Sequence, residues 1–182
     1  MWLLAVGVPI VQLWRFKTQP GAEADAPPRW PVASCIERDP ALATVLLFAH
    51  PLCPCTAASL GELRRLVDSV DGVLVHVLFK VPADADDSWR NGGNWVSAQS
   101  IHGVRTHEDL DGVEATRFAA LTSGHVVAYS SDGTLVFQGG LTTARGHAGP
   151  SPCSTRLIES LKTPGVAVTP MPVFGCPLRD PK

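Results

Sequence analysis

Charge is scarce in this chain. Asp, Glu, Lys and Arg make up 18% of it, and they nearly balance, leaving a formal net charge of −2. A basic excess is what draws a protein to nucleic acid or to an acidic membrane surface, so neither partner has an electrostatic basis here. Cysteine is too sparse, five in 182 residues, for a disulfide-scaffold protein, and the odd count leaves at least one thiol outside any intrachain pairing. No internal repeat occurs, and no apolar run reaches the ~20 residues that a membrane-spanning helix needs. Apolar residues as a class are plentiful at 45%, enough for one domain with a sizeable core plus attachments.

The attachments lie at the two ends. Residues 1–17 are almost wholly apolar from Trp2 to Val11, then carry Arg15 and Lys17. No basic stretch precedes them and no small-residue cleavage site follows, so a signal peptide fits poorly. They read as an N-terminal membrane anchor, truncated if the true start lies upstream. The bland alternative is a terminal segment that merely packs, and the basic pair on the domain side runs against the positive-inside tendency. Residues 18–34 are rich in Pro and Ala and read as a linker. Residues 35–163 then form the domain, and 164–182 a Pro-rich tail.

Within the domain, Val45 to Ala49 is a continuous apolar run, the mark of a buried strand. Leu60, Leu63, Leu66, Val67 and Val70 recur at spacings of three and four, predicting an amphipathic helix from Thr56 to Val70. Asp71-Gly72 stops it, and Val73 to Phe79 is a second buried strand, which makes a parallel β-α-β unit. Further on, a short helix near Trp95 to Ser100, a strand at Val104 to His107 and a helix over Val113 to Leu121 are predicted. Val126 to Tyr129 and Thr134 to Gln138 flank Ser130-Ser131-Asp132-Gly133, a hairpin signal. A last helix spans Thr155 to Leu161, with Ser151 or Ser154 as cap. The expected class is α/β, with a central mixed sheet (β-α-β, then β-β-α) flanked by helices. Trp89 and Trp95 read as packing residues.

The chemistry gathers at His50-Pro51-Leu52-Cys53-Pro54-Cys55, between the first strand and its helix. Cys53 falls near the helix N-cap and Cys55 in the first turn, where Pro54 is tolerated because first-turn amides lack helical partners. The positive end of the helix dipole favours thiolates over the ordinary thiol pKa of ~8.5. A bridge between residues i and i+2 closes a small ring, so the expected disulfide is strained and suits exchange or isomerisation more than strong reduction. Two passive thiols are the alternative. His50 either assists proton transfer or binds a metal, or it caps the strand end through a backbone bond. Arg145 and His147 lie in a Gly-rich loop that either approaches the site and binds an anion or forms a surface turn. Cys176 sits in the apolar, Pro-rich tail and is expected to fold back toward other cysteines. Cys35 and Cys153 read as buried or free thiols.

The β-α-β start with its cysteine pair, together with Thr122-Ser123-Gly124-His125 and Asp132 to Gly140, resembles the thioredoxin-like superfamily over about residues 40–162. Arg145-Gly146-His147 and Val173 to Leu178 narrow the resemblance to membrane-tethered, RedB-type members. The resemblance implies a thiol–disulfide oxidoreductase in which Cys53 attacks and Cys55 resolves. Its partners would be a protein disulfide substrate and an upstream redox protein, with no cofactor and an extracytoplasmic (periplasmic or equivalent) location. Two departures stand out. Cys-Pro-Cys is one residue shorter than the family pair, and Ser123-Gly124-His125 stands where the family has a cis-proline facing the thiols. That placement would aim His125 at the pair. Cys53, Cys55 and His125 would then form a soft ligand set for copper(I) or zinc, the basis of a metal-handling alternative, although a histidine entering a strand more often has a structural role. An interaction module with an inert pair is the third reading.

Overall fold

The computed structural model describes residues 2–163, 165 and 167–178. Five strands form one mixed sheet in the order β3-β2-β1-β4-β5. β1 (Ala43–Ala49), β2 (Val73–Val81) and β3 (Val104–Leu110) run parallel, whereas β4 (His125–Tyr129) and β5 (Leu135–Gly139) are antiparallel additions beside β1. β1 is central, and its residues Val45 to Ala49 are all buried, which is why it reads as an unbroken apolar run rather than an alternating one.

Alternation along the strands divides the interior. Val45, Leu47 and Ala49 of β1 face α2 (Pro54–Ser69), α3 (Gly93–Gln99) and α5 (Pro152–Lys162), where Leu60, Leu63, Trp95 and Leu157 pack on them. Leu46 and Phe48 face the other way, toward Phe118, Tyr129 and Leu178, beside the short α4 (Val113–Arg117). Each fully buried leucine or phenylalanine contributes on the order of 1.5–3 kcal/mol, so both layers hold the sheet.

Several boundaries shift from expectation for local reasons. α2 ends at Ser69, and Gly72 takes φ +70°, which turns the chain into β2. α4 stops at Arg117, short of the expected Leu121, because Ala119 adopts the left-handed region at φ +56°. α5 begins at Pro152, earlier than expected, on a capping box in which the Ser151 hydroxyl accepts from Ser154 N–H at 3.1 Å.

The segment read as a linker packs on the domain, and the tail docks beside it. Residues 20–30 lie along the second layer as extended chain. Leu135 N–H donates to Pro28 O at 3.0 Å, the Tyr129 hydroxyl to Pro27 O at 2.9 Å, and Trp30 packs edge-on against Phe118 and Tyr129. The tail returns beside them: Gly21 N–H donates to Val173 O at 2.8 Å, and Met171 N–H to Gln138 O at 3.1 Å. α1 (Trp2–Thr18) precedes all this and exposes Val8, Ile10, Leu13, Trp14 and Phe16. No helix among the described residues is long and apolar enough to cross a membrane.

Candidate active site

Cys53 lies past the carboxyl end of β1, where open α/β sheets place their ligands. It is the N-cap of α2 with Pro54 following as the first helical residue, so Cys55 falls in the first turn as the spacing predicted. The turn that presents Cys53 is tied down on several sides. Cys53 N–H donates to His50 O at 3.1 Å and the Thr56 hydroxyl to the same carbonyl at 3.0 Å. His50 N–H donates to Ser123 Oγ at 2.9 Å, which joins the turn to the segment before β4. Asn94, from α3, donates to Pro51 O at 2.8 Å and to Cys53 O at 3.0 Å.

Three thiols converge here. The tail carries Cys176 to the turn and sets its Sγ 2.9 Å from Cys53 Sγ, while Cys55 is close enough to both to interact with them. All three are free thiols. Burial works against ionisation of Cys53, which is only 2% exposed. Hydrogen bonds from the Cys176 thiol and from the amides of Cys176, Cys55 and Thr56 outweigh it and hold Cys53 below the ordinary thiol value. Burial and the neighbouring Cys53 sulfur push Cys55 up, and the same two causes push Cys176 up to about 12. The arrangement favours one thiolate, on Cys53, flanked by two protonated thiols.

Arg145 reaches this site. Its guanidinium donates to Gly175 O in the tail and to Phe16 O at 3.0 Å, and it lies 4.8 Å from the Phe16 ring centre. Its charge opposes the upward shifts of Cys55 and Cys176, and the next amide, Gly146, reaches Cys55. His147 is exposed, and its amide makes a turn bond to Ala144 O at 3.2 Å. His50 organises the turn: its Nδ1 accepts from Leu52 N–H at 3.2 Å and its ring lies 5.0 Å from that of Trp89.

The expectation for His125 needs correcting. The histidine opens β4 opposite Phe48, and strand alternation turns its ring to the layer away from α2. It is buried there beside Glu23, Asp25, Gln138 and Met171. Neither ring nitrogen has a partner, and desolvation lowers its pKa to about 4. The ligand set Cys53, Cys55 and His125 is therefore not assembled. Among the described residues no group of three or more His, Cys, Asp or Glu side chains could hold a metal ion.

Sequence reasoning missed Asn94 and the part Ser123 plays as a tie; no local pattern marks either. It did expect Cys176 to fold back toward other cysteines, since an apolar tail must dock somewhere, but composition could not say which of them it would meet. Beside the thiols a shallow groove of about 410 Å³ runs past Leu52, Cys53, Ala57, Gly92 and Asn94. Leu52 is half exposed on its rim.

No protein-family model matches the chain, and no curated protein matches it. Solved structures do. A hypothetical protein from Sinorhizobium meliloti is 18% identical, with a TM-score of 0.66 over 90% of this chain and 98% of that one. An uncharacterized conserved protein from Geobacillus kaustophilus is also 18% identical, with a TM-score of 0.62 over 90% and 93%. A proposed thioredoxin from Neisseria meningitidis is 14% identical, with a TM-score of 0.51 over 83% and 94%. The chain has a thioredoxin-like fold, as the resemblance implied.

Proposed function

We propose that the chain is a thiol–disulfide oxidoreductase in which Cys53 is the exchanging thiol. The observation that carries this is the state of Cys53: a thiol at a helix start, held below its ordinary pKa, with a second thiol in reach. The Cys53 thiolate attacks a protein disulfide R–S–S–R′, forming Cys53–S–S–R and expelling R′–S⁻. A second thiol of the site, as its thiolate, attacks Cys53 Sγ and releases R–S⁻. The substrate gains two electrons and the site is left with a disulfide, which a dithiol partner protein reduces. Run in reverse, the same steps oxidise a substrate dithiol. The resemblance gives the second role to Cys55, although Cys176 lies in contact with Cys53 as well.

The groove beside Leu52 offers an apolar rim to a substrate segment. Reaction of wild type with oxidised glutathione should have a pH midpoint below the ~8.5 of a free thiol. Cys53→Ser should lose that reaction and all reduction of insulin disulfides. Undiminished insulin reduction by Cys53→Ser would sink the reading.

The same reading places the domain outside the cytoplasm and tethered through α1, in keeping with the RedB-type resemblance. The exposed apolar side chains of α1 suit a lipid surface. Membrane fractionation checks this: Trp14→Glu with Leu13→Asp should shift the chain from the pellet to the supernatant, and an unchanged distribution counts against the tether.

A further inference from the structure

We propose that Cys176 is the thiol that resolves Cys53, and that its segment occupies the track on which a cysteine-bearing substrate peptide lies. This rests on the reading of Cys53 as the exchanging thiol. The tail runs antiparallel to the chain ahead of β4. Ser123 N–H donates to Cys176 O and Leu178 N–H to Leu121 O, both at 2.8 Å, and Thr122 pairs with Pro177 as a bridge. Phe174 and Leu178, on either side of the cysteine, are buried.

Each residue around the cysteine fits that track. A Cβ on Gly175 would collide with Ser123 O, so only glycine allows so close an approach. Cys176 then directs its Sγ to within 2.9 Å of Cys53 Sγ, and Pro177 follows on the exposed side. A peptide held by backbone bonds with a sulfur at the nucleophile is what a substrate must also present. The occupant that replaces the tail is therefore an extended segment with a disulfide-bonded cysteine preceded by a small residue.

Electrostatics time the second step. While Cys53 is a thiolate, its charge adds to burial in keeping Cys176 protonated. Once Cys53 is in a mixed disulfide that charge is gone, so Cys176 loses its proton more readily at the moment it must attack. Its thiolate then attacks Cys53 Sγ, the Cys53–S–S–R bond breaks, R–S⁻ leaves and takes up the proton, and a Cys53–Cys176 disulfide forms. Two electrons have passed from the two cysteines to the substrate disulfide. Return of the tail and expulsion of the substrate are one event.

Oxidised glutathione is the probe, applied to the full chain, followed by acid quench, trypsin and mass spectrometry. Cys53 and Cys55 share the peptide 39–64, and Cys176 lies in 163–179. The expected product is these two peptides joined by a disulfide, and the same product should still form in Cys55→Ser. In Cys176→Ser the glutathione adduct on Cys53 should persist, with resolution slowed about 100-fold as a thiol in contact is replaced by one less well placed. A wild-type digest holding only a disulfide internal to 39–64, or wild-type resolution in Cys176→Ser, overturns the proposal while leaving Cys53 as the exchanging thiol. Glutathione uptake unchanged in Cys53→Ser would instead overturn the reading on which it rests. The wild-type and Cys55→Ser digests decide the matter even if Cys176→Ser fails to fold.

Discussion

Two stretches close on Cys53, and different physics holds each. On one side stands the β1–α2 junction. Its strand is hydrogen-bonded to a neighbour on both edges and buried on both faces, and the following turn is tied by Thr56, Ser123 and Asn94. On the other side, residues 171–178 have no helix or strand of their own. They hold to the domain through backbone bonds to residues 21, 121, 123 and 138 and a few buried side chains. Moving the junction would disturb the centre of the sheet, whereas moving the tail breaks these few bonds and withdraws Val173, Phe174 and Leu178 from the packing at its edge. Local openings draw on such sparsely bonded segments. The comparison teaches that a strand-to-helix junction can fix one thiol while a segment with no regular structure of its own delivers another.

A paired experiment breaks or sharpens that contrast. Leu63 of α2 is fully buried under the sheet, so Leu63→Ala should cost about 2–5 kcal/mol and lower the global unfolding free energy. Gly175→Ala forces the tail off Ser123 and should cost roughly 1–3 kcal/mol in lost bonds and overpacking, expressed locally. Hydrogen exchange distinguishes the two. Leu63→Ala should speed exchange across β1, β2 and β4, whereas Gly175→Ala should speed it only in 171–178 and in 121–125. If Gly175→Ala lowers the melting temperature as far as Leu63→Ala does, the tail is an integral part of the core and the contrast fails.

The same contrast explains what the sequence disclosed. β1 and β2 were legible as unbroken apolar runs and α2 by its spacing of three and four, because most apolar side chains in them are buried. The cysteines were legible as a pair because the helix start fixes them within three residues. The direction of His125 was not, since one residue of register decides which layer a strand side chain enters, and the resemblance pointed to the other one. The end of α4 turned on the left-handed Ala119, a conformation alanine rarely adopts. The tail carries no periodicity, and the contact between Cys53 and Cys176 spans 123 positions. Besides Gly175, its docking left a trace at Gly139 and Gly140, where the tail backbone comes too close for a side chain. A Cβ there would collide with Met171 O and Pro172 O respectively.

The smallest effect concerns a side chain that bonds to the tail and whose charge reaches a thiol of each stretch. Arg145 binds the Gly175 carbonyl and favours the thiolate forms of Cys55 and Cys176, but it is partly exposed and its field is screened. Arg145→Gln retains a donor for the carbonyl and removes the charge. The pKa of Cys176 should rise further, because the opposing cation is lost, so less thiolate is available at any pH below it. Partly exposed charge pairs are worth roughly 0.2–1 kcal/mol, so resolution of the Cys53–glutathione adduct should slow by about 1.4- to fivefold. The slowing should fade in high salt, which a purely structural role for the guanidinium would not predict. A loss as large as that expected from Cys176→Ser would mean that Arg145 holds the tail in place, and the division between a rigid junction and a releasable tail would then turn on that one residue.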